Sequence, residues 1–345
     1  MTRLVKHSET FFSFQYTKSN RISTIGHSIC LIIVCFLITS NAINAQMVNR
    51  ASSEKSFEPY FQQTVNTTID VSLDDVKHRL DGSISMDYIN NSPDVLDTIF
   101  IHLWANAYKD RTTAFAKQQL KNKNTKFHYA QDSSRGNFEA LHFKVDGKSV
   151  QHQYYENNPD IVFIILPESL KPEGQVTIST PLKLKIPASF SRLGHVGTSY
   201  QMTQWFPKPA VYDRDGWHPM PYLNQGEFYS EFGSYDVTIT LPENYVVAST
   251  GVLQNESEIL FLEEKMKETK ARAQDSIRDN SFPESSSKMK TIRYLAENVH
   301  DFGWFADKRF YVEKGQVTLS NGKYVDTYVF YTDTEKSMWQ DALGY

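Results

Sequence analysis

From residue 65 onward, apolar and polar residues alternate with a period of two, and the pattern recurs too often for a helical fold to satisfy it. Val65, Thr67, Ile69, Val71 and Leu73 share one side of a segment while Asn66, Thr68, Asp70 and Ser72 share the other. Successive strand side chains point to opposite faces, so this is a half-buried strand. The alternation returns at Ile84, Met86 and Tyr88, at Val176 and Ile178 continuing through Leu182, Leu184 and Ile186, and at Tyr235, Val237, Ile239 and Leu241. "IFIHLW" (residues 99–104) and "IVFIIL" (161–166) are instead continuous apolar runs, the mark of strands covered on both faces. Asp146-Gly147 in "VDGKSV" is a hairpin turn signal. Many short strands and no long helix before Gln254 predict a mainly β chain, an antiparallel β-sandwich or saddle.

One segment breaks the rule. In residues 256–279, Ile259, Leu262, Met266, Ala273 and Ile277 fall on one helical stripe, and Glu263/Lys267 and Glu268/Arg272 stand four apart. This predicts one inserted amphipathic helix, whose stripe either lies on its own sheet or meets a partner. Strand signals resume at "KTIRYLAENV" and "KYVDTYVFYT", and a last helix starts in "DTEKSMWQDALGY" with Asp333 or Thr334 as its cap.

The amino terminus reads differently. Arg3, Lys6, Lys18 and Arg21 precede an apolar run at 29–38, which gives way to small and polar residues. That order is a secretory signal peptide, with cleavage after Ala45 or after Ala42. Ten apolar residues fall short of the roughly 20 that span a bilayer, so no permanent membrane span is expected once the signal, residues 1–45, is removed. The predicted location is periplasmic, cell-envelope or secreted. Cys30 and Cys35 are the only two cysteines of the 345 residues, and both lie in the leader. The mature chain would therefore have neither disulfide nor cysteine-ligated metal. Of the 36 basic and 40 acidic residues, four and one lie in the leader, leaving 32 against 39, a net −7 that argues against nucleic acid as a partner.

A search for catalytic groups is largely negative. No two of the ten histidines form the H-E-x-x-H pair that places two imidazoles on one helix face. His102, inside a strand, and His300, beside Asp301, read as hydrogen-bonded structural residues. "DRDGWHPMPYLNQGE" begins like a calcium loop, but Gly216 stands fourth from Asp213 where that loop needs glycine sixth. A tight turn at Asp215-Gly216 accounts for it. Neither a phosphate-cradling glycine loop nor a G-x-S-x-G elbow is present.

The most unusual stretch is "TQWFPKPAVYDRDGWHPMPY", residues 203–222, with two tryptophans, two tyrosines, a phenylalanine and four prolines. Taken with the segment from Phe61 to Tyr108, the strand-rich run after it and "AENVHDFGWFADKRF", it resembles the amino-terminal part of bacterial M1-family zinc metallopeptidases, the aminopeptidase N and leukotriene A4 hydrolase group. The resemblance implies a substrate-side β domain over residues 46–314 and the start of a thermolysin-like catalytic domain, cut short, over 315–345. It also implies a loop that helps to hold the amino terminus of a peptide substrate. By that resemblance the substrate-binding residues are Gln204, Trp205 and Phe206, following Thr203, with Phe206 standing where the family has a second polar residue. A hydrogen bond from a substrate ammonium to an amide oxygen contributes about 1.5–3 kcal/mol. The plainer reading, in which Gln204 satisfies backbone groups of a proline-rich loop, stands beside it.

The family's zinc motif, exopeptidase loop and transition-state tyrosine are absent from this sequence. The resemblance therefore implies no cofactor in this chain, zinc only in a complete family member, no catalytic residue and no metal ligand, and a fragment inactive without its missing catalytic domain. Two rivals are a stand-alone envelope module that binds peptides or proteins through the aromatic, proline-rich loop, and, more remotely, a carbohydrate-binding sandwich. The leader makes a direct prediction. Intact-mass measurement of protein secreted by an expression host should give a start at or near Gln46, whereas recovery of Met1-containing protein from membranes would refute export.

Overall fold

The computed structural model describes residues 60–272 and 279–344. The leader with its cysteines, and Ala273 and Ile277 of the helical stripe, lie outside the described residues. The longer elements, in chain order, are β1 (Thr64–Asp74), β2 (Arg79–Ile89), β3 (Leu96–His102), α1 (Ala114–Lys121), β4 (Asn158–Leu170), β5 (Gln175–Lys185), β6 (Leu193–Val196), β7 (Ser199–Met202) and β8 (Gly233–Pro242). They continue with β9 (Val246–Ser249), α2 (Glu256–Ala271), β10 (Met289–Val299), β11 (Trp304–Asp307), β12 (Tyr311–Thr318), β13 (Tyr324–Tyr331) and α3 (Lys336–Trp339). With 46% strand and 14% helix the protein is mainly β, as the alternation requires.

Each alternating segment is a strand with the expected face inward. In β1, Val65, Thr67, Ile69, Val71 and Leu73 are buried and their neighbours are not. β1 pairs with β2 along its whole length, from Thr64 opposite Ile89 to Asp74 opposite Arg79. The large sheet has nine strands in the order Val252–Leu253, β10, β8, β1, β2, β5, Lys144–Val145 and Lys148–Ser149, with Asn137–Ala140 also on β5. The pairing of β1 with β8 is parallel, with Thr67 opposite Tyr235, which departs from the antiparallel expectation. β8 arrives after a long excursion of the chain, so no hairpin dictates its direction.

A second sheet of four strands runs Lys208–Pro209, β3, β4, His152–Tyr155. Ile99, Ile101, Val162 and Ile164 from it join Ile69, Ile84, Met86 and Val237 of the large sheet in one core. Its other face is covered only in part: the Phe100 ring meets Tyr155 at 5.2 Å and Phe163 at 5.6 Å within the same sheet and Trp217 at 5.6 Å from outside it, while Ile165 is 54% exposed. The continuous apolar runs of β3 and β4 therefore do not mean burial on both faces: Ile99, Ile101, Val162 and Ile164 face the core, whereas Phe100 and Phe163 are half-buried and Ile165 is exposed. The turn between Lys144–Val145 and Lys148–Ser149 puts Asp146 at φ 49° and Gly147 at φ 78°, left-handed values that Asp-Gly tolerates. A third sheet, β6-β7-β11-β9, the separate β12–β13 hairpin and a two-stranded ribbon of Tyr212–Asp213 with Gly216–Trp217 follow.

The inserted helix ends earlier than the expected residue 279. Its side chains also distribute differently from the stripe. Leu262 is buried in a small second core with Val246 and Val312, Met266 packs against that core, and Ile259 is 42% exposed. The ion pairs on its surface are three residues apart, Glu264–Lys267 at 2.6 Å and Lys265–Glu268 at 2.8 Å, while Arg272 reaches Asp333 at 3.8 Å. A buried pair, Glu258–Lys290 at 2.6 Å, ties the first turn of α2 to β10; burial raises the Glu258 pKa and lowers that of Lys290. At the last helix, α3, Glu335 occupies the cap position instead of Asp333 or Thr334. Asp333 is buried, accepting from the Tyr311 hydroxyl at 2.8 Å and the Asp279 backbone at 3.1 Å, and the Thr334 hydroxyl donates to Asn280. Tertiary partners have taken both candidate caps.

The β12–β13 hairpin pairs from Tyr311 opposite Tyr331 to Thr318 opposite Tyr324 and belongs to no larger sheet. Val317, Tyr324 and Tyr328 on it are exposed. Two-stranded ribbons are marginal alone, and local opening follows sparse burial. Hydrogen exchange should accordingly be fast in residues 315–331 and slowest in β1, β2 and β8. Equal protection throughout would show that the hairpin opens only with the whole fold.

Candidate functional site

The aromatic, proline-rich stretch is buried over residues 204–211 and at Tyr222, while Tyr212, Trp217 and residues 218–221 are half-buried. Trp205 is 0% and Phe206 1% exposed, and Ala210, Val211 and Tyr222 are also buried. The Trp205 indole N–H donates to the Phe302 carbonyl at 2.9 Å, and its ring meets Trp304 edge-on at 6.1 Å. Phe206 meets Tyr235 of β8 edge-on at 5.8 Å. Both side chains sit in the main core. Further along, Tyr212–Asp213 pairs with Gly216–Trp217 around a turn in which Gly216 has φ 97°, the turn expected at Asp215-Gly216. His102 is the expected structural histidine: it is buried and accepts the Met220 backbone N–H at 3.0 Å. Burial lowers its pKa to about 3, so the ring stays neutral.

Gln204 is different. Its φ is +57°, in the left-handed region that non-glycine residues enter at a cost of about 1–2 kcal/mol. Such conformations persist only where neighbours over-determine them. Here a buried charge does so. Lys208, four residues on and in the short strand beside β3, is 4% exposed. Its ammonium donates to Asp301 Oδ1 at 2.6 Å and to Gln204 Oε1 at 3.1 Å, 5.2 Å from the Trp104 ring centroid and 4.6 Å from that of Phe206. The Gln204 amide nitrogen donates in turn to Asp301 Oδ2. Only one orientation of the amide works, with its oxygen toward the cation and its nitrogen toward the carboxylate. Asp301 Oδ1 also accepts the Phe302 N–H at 2.8 Å. Burial lowers the Lys208 pKa, and Asp301 opposes that shift.

This Gln204–Lys208–Asp301 network borders a groove of about 1580 Å³. Gln204 and Asp301 line it together with Phe305 of β11, Ile259 and Met266 of α2, and Tyr324 of β13. The exposure of Ile259 and Phe305, 42% and 39%, is exposure into this groove. Of the three residues that the sequence nominates, the structure therefore places Gln204 at the groove and Trp205 and Phe206 in the core behind it. Asp301 and Lys208 were not nominated. The signal for them in the sequence is slight: a lysine between two prolines and an aspartate beside a histidine.

Among the described residues, no three His, Cys, Asp or Glu side chains come together in a group that could hold a metal. The residues present do not fit a catalytic zinc, which needs three protein ligands, so no chemical step is assigned to zinc here. No helix among the described residues is long and apolar enough to cross a membrane.

No protein-family model matches the chain, and no curated protein matches its sequence. Among solved structures, it is similar to an M1 zinc metallopeptidase from Deinococcus radiodurans at 12% identity, covering 79% of this chain and 47% of that one, with a TM-score of 0.42. A mutant of that metallopeptidase bound to a Tyr-Ser-Ala substrate is similar at 11% identity with a TM-score of 0.43, over 79% of this chain and 48% of that one. The chain spans about half the length of these structures.

The network makes its own prediction. Lys208→Met leaves the Asp301 carboxylate without its cation, and breaking a buried pair from one side destabilises by about 3–5 kcal/mol. The double variant Lys208→Met/Asp301→Asn should lose less, since no lone charge remains. Urea unfolding of both variants checks this, and an unchanged midpoint for Lys208→Met would show that the pair does not hold the loop.

Proposed function

We propose that this chain carries the substrate-side β domain of an exported M1-like zinc aminopeptidase, and that the groove beside Gln204 receives the amino-terminal end of a peptide. The observation that carries this reading is Gln204 itself, held in a left-handed conformation at the edge of an apolar-walled groove. A polar side chain fixed by its own network at the wall of a cavity is already oriented to meet a ligand there. The sequence resemblance supports the same assignment. In this reading the chain binds and orients the peptide, its first side chain lying against Phe305 and Ile259. The zinc ligands and the hydrolytic step belong to residues outside those described. Export rests on the charged leader and its short apolar run.

Burial of Trp205, Phe206 and Tyr222 removes three of the loop's five aromatic side chains from a stand-alone binding surface, and leaves it only the half-buried Tyr212 and Trp217. The amine reading is tested with the full chain by titration calorimetry, using Phe-Ala-Ala and its N-acetylated form. The free-amine peptide should bind at least tenfold more tightly, and Gln204→Ala should weaken its binding by about tenfold to a hundredfold, the equivalent of one hydrogen bond to a charged group. Equal affinity of the unmutated chain for the two peptides would overturn the reading.

A further inference from the structure

We infer that Asp301 supplies the anionic contact for the substrate's ammonium group, with Lys208 and Gln204 as the residues that position it. This rests on the reading of the groove given above and adds to it a residue far from residues 203–206 in sequence. An ammonium ion carries three N–H donors and needs acceptors that face it. The adjacent Phe206 cannot be one, because its ring is buried in the core. Gln204 is a limited one. Its amide nitrogen is committed to Asp301 and its oxygen already accepts from Lys208, which leaves a single lone pair on Oε1.

Asp301 meets the requirement. It lies in the turn between β10 and β11, its side chain is 22% exposed, and it lines the groove. Oδ1 is occupied by Lys208 and the Phe302 N–H, whereas Oδ2 accepts only the Gln204 amide among the hydrogen bonds seen, so its remaining lone pair is available. Lys208 approaches from the buried side, between the Trp104 and Phe206 rings, and leaves the groove side to a second cation. One carboxylate then bridges two ammonium groups, one of the protein and one of the ligand. Because Lys208 shares its charge, the attraction is smaller than that of a lone carboxylate, and the orientation is what the network supplies: Asp301 Oδ2 and Gln204 Oε1 stand on the two sides of one amide. Of the other charged groups lining the groove, Asp326 is paired with Lys314 at 2.7 Å, and Arg192 bears the wrong sign and donates to the Asn224 carbonyl at 3.1 Å. Glu263 on α2 is the competing carboxylate.

The test uses the full chain and the peptides Phe-Ala-Ala and N-acetyl-Phe-Ala-Ala. Asp301→Asn, and Asp301→Asn/Lys208→Met, which removes both buried charges together, should lose about tenfold of the preference for the free amine, whereas Glu263→Gln should keep it. A measurement without mutation accompanies these: the Asp301 carboxyl carbon resonance should move on titration with the free-amine peptide and stay put with the acetylated one. If the unmutated chain shows the preference but the Asp301 resonance does not move, or Glu263→Gln abolishes the preference, this assignment is wrong while the groove reading survives. If the unmutated chain shows no preference at all, the groove reading itself falls, and Asp301 falls with it.

Discussion

The charge on Lys208 is the constraint around which this region is arranged. An ammonium group with 4% exposure is tolerated only if it is paired and hydrogen-bonded. Asp301 and Gln204 provide the oxygens, and the faces of Trp104 and Phe206 provide the rest of the shell. Two distant parts of the chain are thereby tied together: the segment that runs from the loop after β7 into the strand beside β3, and the turn that leads into β11. The left-handed turn at Gln204 follows from this pairing, since the amide must face both the cation and the carboxylate. A conformational cost of about 1–2 kcal/mol is small beside the about 3–5 kcal/mol at stake in a buried ion pair.

A second buried pair shapes the other wall of the groove. Glu258–Lys290 pins α2 to β10, and the Lys290 ammonium also lies 4.0 Å from the centroid of the Phe261 ring. With its first turn held there, the helix buries Leu262 against Val246 and Val312 and turns Ile259 into the groove. An amphipathic stripe is therefore shared between a small core and an open cavity. Its apolar side chains serve packing and the groove wall at once, which accounts for the moderate burial of Met266.

Much of the strand architecture was legible in the sequence because strand periodicity is a local property. The burial of β1 follows its alternation residue by residue, and Asp146-Gly147 and Asp215-Gly216 turn where their left-handed tolerance allows. The site was legible only in part. The resemblance nominated Gln204, Trp205 and Phe206 together, and a sequence does not show which of them reaches a groove and which backs it, since Trp205 and Phe206 look the same in either place. The helix caps show the same limit. Asp333 and Thr334 are good caps by type, yet the Tyr311 hydroxyl donates to Asp333 and the Thr334 hydroxyl donates to Asn280, and nothing near residue 333 announces either partner.

What the sequence determined by itself is what depends on neighbours along the chain: the strands, their inward faces, two tight turns, and a helix between β9 and β10. What the tertiary structure alone decided depends on long-range pairing. The parallel alliance of β1 with β8 joins segments whose directions no turn relates. The Lys208–Asp301 pair joins residues 93 apart, and the desolvation that makes each partner indispensable to the other exists only once the core around Trp104, Phe206 and Phe302 has closed.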